Sequence, residues 1–195
     1  MLTINEYRNY SSEENSMAIK KARKSKQLNE FVDGFRDHVS HNRHLPTNTA
    51  GKRESSIQGQ LFAIFVQYLE DYYEARGHGR YREKAASSFY WEGQAVKKNR
   101  RPAKEFFASR NYPDFVIQQP YSIAIEYKQS EYGSLIKQAI GQSMVHILNQ
   151  EYDFVYILFN DQTKGKMIKK SLKKSKEQAV CKSLWENFNI KLHII

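Results

Sequence analysis

A mixed α/β domain is predicted for this chain on three observations. From Ser55 to about Glu74, Ile57, Leu61, Ile64, Phe65, Tyr68 and Tyr72 recur on one helical face. Two short apolar runs, "DFVIQQ" and "SIAIEYK", flank Pro120 and read as strands joined by a turn. After a further helical pattern comes "FVYILF", a wholly apolar run of the kind found in buried strands. Helical and strand periods therefore interleave, and interleaving is the mark of the α/β class.

The elements follow in order. Residues 1 to about 26 are polar and show no core pattern, ending in "KKARKSK". Leu28, Phe31, Val32, Phe35 and Val39 then fall at helical spacing, and "HNRHLPTNTAGK" is a loop by composition. Ser55 and Gln58, three residues apart, suit a capping box at the head of the next helix. "GHG" at 77–79 ends it. "SSFYWEGQAV" (87–96) predicts a strand and "KKNRRPAKEF" a basic connection. Beyond the two strands around Pro120, "SLIKQAIGQSMVHILNQ" predicts a helix N-capped by Ser134. "KGKMIKKSLKKSKEQAVCKSLWENF" predicts one very basic helix, and "IKLHII" closes as a strand. From residue 55 the order is α-β-β-β-α-β-α-β. The division expected is a basic, partly helical N-terminal extension (1–48) followed by one domain (49–195).

Of the 195 residues, 40% are hydrophobic and 13% aromatic, which supports a core. The net charge of +10 points to a polyanionic partner, nucleic acid first. Cys181 is the single cysteine, so neither an internal disulfide nor a multi-cysteine zinc site can form. No apolar run approaches a membrane span, and "MLTINEYRNYSSEENS" lacks the apolar stretch of a signal peptide. The expectation is a cytoplasmic protein that binds neither membrane nor small-molecule cofactor.

The chemistry concentrates in "NYPDFVIQQPYSIAIEYKQS", residues 111–130. Side chains alternate across a strand, so Ile123, Ile125 and Tyr127 share one face and Ala124, Glu126 and Lys128 the other. A tight antiparallel turn can bring Asp114 beside Glu126. Clustered carboxylates repel unless a cation lies between them, and oxygen ligands suit a hard ion such as Mg2+ or Mn2+. Such an ion polarises a phosphoryl oxygen and acidifies water, while a lysine stabilises developing charge. The competing reading is a turn aspartate and a solvated Glu-x-Lys face.

Pro113-Asp114 followed by Glu126-Tyr127-Lys128 resembles the PD-(D/E)xK signature of the restriction-endonuclease-like nuclease superfamily. The resemblance covers about residues 50–160. It implies a restriction-endonuclease-like core of αβββαβ order, a mixed sheet flanked by helices. It also implies metal ligation by Asp114, Glu126 and the main-chain carbonyl of Tyr127, with Lys128 as the catalytic lysine. Some branches, including archaeal Holliday-junction resolvases, carry a metal-site glutamate at the start of the leading helix. Glu54 in "GKRE" is similar, its alternative being an acid favoured by the helix dipole; Glu92 is a weaker rival. Related nucleases often place a glutamine of the following helix near the site. Gln138, Gln142 and His146 recur there every four residues, and Gln138 is the candidate, against a plain solvent-facing stripe.

His38, His41 and His44 run into a loop, so a solvated cluster is expected rather than a metal site. Three basic clusters remain, at 20–26, 97–104 and 164–176. From these, Lys97, Lys98, Arg100, Arg101, Lys166, Lys169, Lys170, Lys173 and Lys174 are candidate contacts to a nucleic-acid backbone. The function expected is a Mg2+-dependent DNA endonuclease acting as a homodimer, structure-selective on branched DNA. The alternatives are a sequence-specific type II restriction-like enzyme and a non-catalytic nucleic-acid-binding module on the same fold.

Overall fold

The computed structural model describes residues 25–46, 52–91, 104–106, 109–148 and 152–195; for Glu54 and for residues 104–106 and 109–111 it describes the backbone alone. The elements are α1 (Lys26–His41), α2 (Glu54–Glu74), α3 (Tyr81–Ser88), β1 (Phe89–Trp91), β2 (Lys104–Phe106), β3 (Ser109–Asn111), β4 (Phe115–Ile117), β5 (Ile123–Ser130), α4 (Ser134–Leu148), β6 (Phe154–Asp161), α5 (Met167–Ser171), α6 (Ser175–Phe188) and β7 (Ile190–Ile194). The chain is therefore α/β. A five-stranded mixed sheet runs in the order β1-β4-β5-β6-β7, and β2 with β3 forms a separate two-stranded sheet. β1, β4 and β5 pair antiparallel, whereas β5, β6 and β7 pair parallel.

Strand alternation divides the core between two faces. Ile123, Ile125 and Tyr127 of β5 meet Phe31 and Phe35 of α1 and Ile57, Leu61 and Phe65 of α2 on one side. Ala124 of β5 and Val155 and Ile157 of β6 meet Ala139 and Ile147 of α4 and Leu184 of α6 on the other. With helices on both faces, β6 is buried over its whole length, which is why its sequence carries no polar alternation.

Helix α1, which the sequence places in a separate extension, shares this core. Phe35 lies 5.1 Å from the rings of both Phe65 and Tyr156 and 5.2 Å from Tyr68, and the Tyr68 hydroxyl donates to the carbonyl of Phe31 at 2.7 Å.

A second link joins α1 to the sheet. His193 of β7 lies between Ser40 Oγ (3.0 Å to Nε2) and the Tyr156 hydroxyl (2.5 Å to Nδ1). Burial, helped by the nearby charges of Lys169, Arg36 and Lys191, depresses its pKa from 6.5 to about 4, against the pull of Asp37. The unfolded chain thus binds the extra proton first as pH falls, and this link's contribution is complete above pH 6.5 and lost toward pH 4. Over that window up to about 3 kcal/mol of stability should disappear. Urea unfolding of wild type and His193→Gln at pH 7.5, 5.5 and 4.5 should show a shallower pH slope in the variant; equal slopes would exclude His193 as the source.

Several local expectations change. Tyr81–Ser88 is a helix, so the first strand begins at Phe89 rather than Ser87. The α3 segment buries only Ala85 and Ser88, too little apolar surface to leave a periodic signal. Part of the expected basic connection, Lys104–Phe106, is a strand paired with Ser109–Asn111. The capping box does not form: Arg53 is the N-cap of α2, no side chain caps it, and Gln58 is committed elsewhere. The single basic helix is two, α5 and α6, because Leu172 to Lys174 leave the helical path between them. Three predicted features hold: the helix at 54–74 ends before Gly77, whose φ of 73° suits a glycine; the Pro120 turn joins β4 to β5; and α4 occupies the predicted segment, with Ser134 as its first helical residue rather than its cap. No described helix is long and apolar enough to cross a membrane.

Candidate active site

Antiparallel pairing of β4 with β5 sets the site. Phe115 is opposite Ile125, so Asp114, one residue earlier, comes level with Glu126. Both fall on the sheet face of Val116 and Ala124, the face covered by α4. Lys128 extends the same row beyond Glu126.

The three charged side chains converge. Lys128 Nζ lies 3.8 Å from Asp114 Oδ2 and 3.6 Å from Glu126 Oε2. Their side chains are 16%, 14% and 2% exposed, so the solvated-face reading of Glu126 and Lys128 does not hold. A buried carboxylate requires a counter-charge or donors, and the ammonium supplies charge to both acids at once.

Each acid also has further hydrogen-bond partners that orient it. The Tyr127 backbone N–H donates to Asp114 Oδ2 at 2.7 Å, and Gln58 Nε2 donates to Oδ1 at 2.9 Å. Trp91 Nε1 approaches Gln58 Oε1 at 3.4 Å, which turns the amide nitrogen toward Asp114. Gln58 was missed as a site residue: its spacing from Ser55 suggested a cap, and no local pattern tells a capping glutamine from one reaching across the fold. On the other acid, His146 Nε2 lies 2.7 Å from Glu126 Oε1, both side chains buried.

The remaining candidates divide. Of the stripe on α4, His146 reaches Glu126, while Gln138 is exposed near the start of the helix. The Tyr127 ring points into the opposite core, its hydroxyl 3.3 Å from Asn160 Nδ2. Glu54 is the first residue of α2, one turn before Gln58. The preceding segment lies against the end of β5, where Gln129 Nε2 donates to the Lys52 carbonyl at 3.3 Å. Glu92, Lys97, Lys98, Arg100 and Arg101 lie outside the described residues. The histidine group is dispersed: His38 pairs with the Ile64 carbonyl, His41 with the Asp37 carbonyl and His44 with Arg43.

The basic run at 164–176 begins where β6 ends. Ser130 of β5 is level with Asp161 of β6, so the run leaves the sheet at the end toward which Lys128 lies. Asp161 fastens it, accepting from the Thr163 backbone N–H and hydroxyl and from the Lys169 N–H. Burial raises the Asp161 carboxyl, but these bonds and the Lys166 charge outweigh it and leave its pKa low. Lys166 differs from its neighbours. Its ammonium donates to the Asp161 carbonyl, whereas Lys169, Lys170, Lys173 and Lys174 are exposed.

Among the described residues no group of three or more His, Cys, Asp or Glu converges as a metal site. Asp114 and Glu126 nonetheless form an oxygen-only pair that already accommodates a cationic group. Two carboxylates suit Mg2+, which keeps several waters and takes further oxygens from substrate phosphate. Compared with family models, curated protein sequences and solved structures, the chain matches none.

Proposed function

We propose that the chain is a Mg2+- or Mn2+-dependent DNA endonuclease of the PD-(D/E)xK type, hydrolysing phosphodiester bonds. The observation that carries the reading is the convergence of Asp114, Glu126 and Lys128 at adjoining positions of two paired strands, with the acids largely buried. The alternation of sheet and helices is compatible with a restriction-endonuclease-like core. A module that only binds nucleic acid gains nothing from two acids aimed at one place.

In this reading Asp114 and Glu126 hold the ion, with Glu54 and the Tyr127 carbonyl as further ligands. Residues four apart share a helix face, so Glu54 starts from the side of α2 that sends Gln58 to Asp114. The bound ion supplies Lewis acidity at a phosphoryl oxygen and lowers the pKa of an attacking water. Lys128, released from the carboxylates, stabilises negative charge developing on the phosphate. Gln58 and the Tyr127 N–H keep Asp114 from rotating. Glu54→Gln should weaken Mn2+ binding and leave the melting temperature nearly unchanged. A lowered melting temperature with wild-type Mn2+ affinity would return Glu54 to a helix-dipole role.

The lysine-rich segment leaves the sheet at the same end as the acids, which suits a phosphate backbone laid across them. Replacing Lys169, Lys170, Lys173 and Lys174 by Gln should weaken DNA binding without altering substrate preference, because backbone contacts carry little sequence information. Each lost contact should flatten the log–log salt dependence by ~0.9 on duplex DNA. An unaltered slope would make these lysines a solvated face. Lys166 belongs outside that set, being turned inward.

The deciding assay incubates the protein with Mg2+ and linear, nicked, single-stranded and four-way-junction DNA. Cleavage that stops with EDTA and is not supported by Ca2+ fits the proposal, and preference for the junction fits structure selectivity. Sedimentation with and without junction DNA tests the two-fold dimer that paired strand cuts require. Cleavage at full rate in chelator, or none with Mg2+ or Mn2+ on any substrate, would defeat the reading.

A further inference from the structure

Among the described residues, His146 is a buried polar contact of Glu126 to which the mechanism above gives no task. We infer that it is a positioning residue, which holds one oxygen of Glu126 so that the other is presented to a divalent ion. The inference rests on the nuclease reading of the site.

The Glu126 side chain is 2% exposed and projects from a central strand, its carboxylate at the end of three rotatable bonds. Free to turn, it could offer an ion either oxygen, both or neither. His146 Nε2 lies 2.7 Å from Oε1, within the range of a charge-assisted hydrogen bond, and Oε2 is the oxygen facing Lys128. The two oxygens are thus divided, one to the imidazole and one toward the cationic side.

The imidazole is itself held. β5 and β6 are parallel, so α4 runs back against them and brings its last turn level with the middle of β5. His146 is 3% exposed, and the Tyr152 ring meets it edge-on at 5.8 Å and 88°. Ile147 beside it and Ala139 two turns earlier anchor α4 in the second core. A donor with so little freedom fixes the torsion of the carboxylate it grips. Such support around metal ligands is worth roughly 10–100-fold in metal affinity.

The test measures Mn2+ affinity directly, from the electron paramagnetic resonance signal of free Mn2+, on protein without DNA. His146→Phe fills the space but donates nothing. His146→Gln can place an amide N–H near the position of Nε2, and His146→Asn places it near that of Nδ1. Affinity should fall roughly 10–100-fold in His146→Phe, recover most of that in His146→Gln, and stay low in His146→Asn. Circular dichroism at the assay temperature verifies folding. If His146→Phe does not fold, the Gln and Asn variants carry the comparison. A role in stability alone would lower the melting temperature and leave Mn2+ affinity equal in all folded variants, which overturns the inference. Equal losses in Gln and Asn would overturn it too. Absence of Mn2+ binding by the wild type would overturn both this inference and the nuclease reading. Wild-type binding with undiminished affinity in the folded variants removes His146 alone.

Discussion

Alanine at Asp114, Glu126 or Lys128, one position at a time, is expected to lower Mg2+-dependent DNA cleavage at least ~10²-fold while DNA binding survives. Binding is expected to persist because the proposed phosphate contacts are the exposed lysines beyond β6. The three variants should differ off the reaction. Asp114→Ala removes the acceptor for the Tyr127 N–H and for Gln58, and Glu126→Ala leaves buried His146 without its acceptor. Both should bind Mn2+ weakly. Lys128→Ala should do the opposite. The Lys128 ammonium stands 3.6–3.8 Å from both acids and opposes an incoming cation. Without it the acids repel, so the variant should melt lower in EDTA and gain more from added Mn2+ than wild type does. Cleavage rates, Mn2+ titration and paired melts separate these outcomes. Full activity in any one variant removes that residue from the mechanism, and a Lys128→Ala protein indifferent to Mn2+ would contradict the shared cation site.

Phe35→Ala should cost about 3–5 kcal/mol of stability, measured by urea unfolding, with cleavage unaltered while the protein remains folded. Phe35 is 2% exposed and its ring touches both α2 and β6. A chain shortened to residues 49–195 should fare worse and fail to fold cooperatively, because loss of α1 uncovers Phe65, Tyr68 and Tyr156 together. Cooperative unfolding of that shortened chain at wild-type stability would restore α1 to the status of an appendage.

The α/β class, the long helix at 54–74, the strands around Pro120, α4 and the buried β6 were all legible in the sequence. Each carries its signal locally, as a period of 3.6, a period of 2 or an unbroken apolar run. The row formed by Ala124, Glu126 and Lys128 was legible for the same reason, since alternation within one strand needs no knowledge of the fold. That Asp114 stands level with Glu126 was only a possibility of the turn, and the β4–β5 register decides it. Other features had no local signal at all. α3 buries too little to show a period, and the basic run reads as one helix because lysine favours helix on both sides of the break. Whether α1 belongs to the core depended on which surface its apolar stripe meets, and a stripe does not name its partner. Gln58 looked like a cap and His146 like one member of a polar stripe, because the acids they hold lie 56 and 20 residues away. Tertiary packing alone sets such contacts: a buried carboxylate must find donors, and the fold determines which side chains stand close enough to supply them.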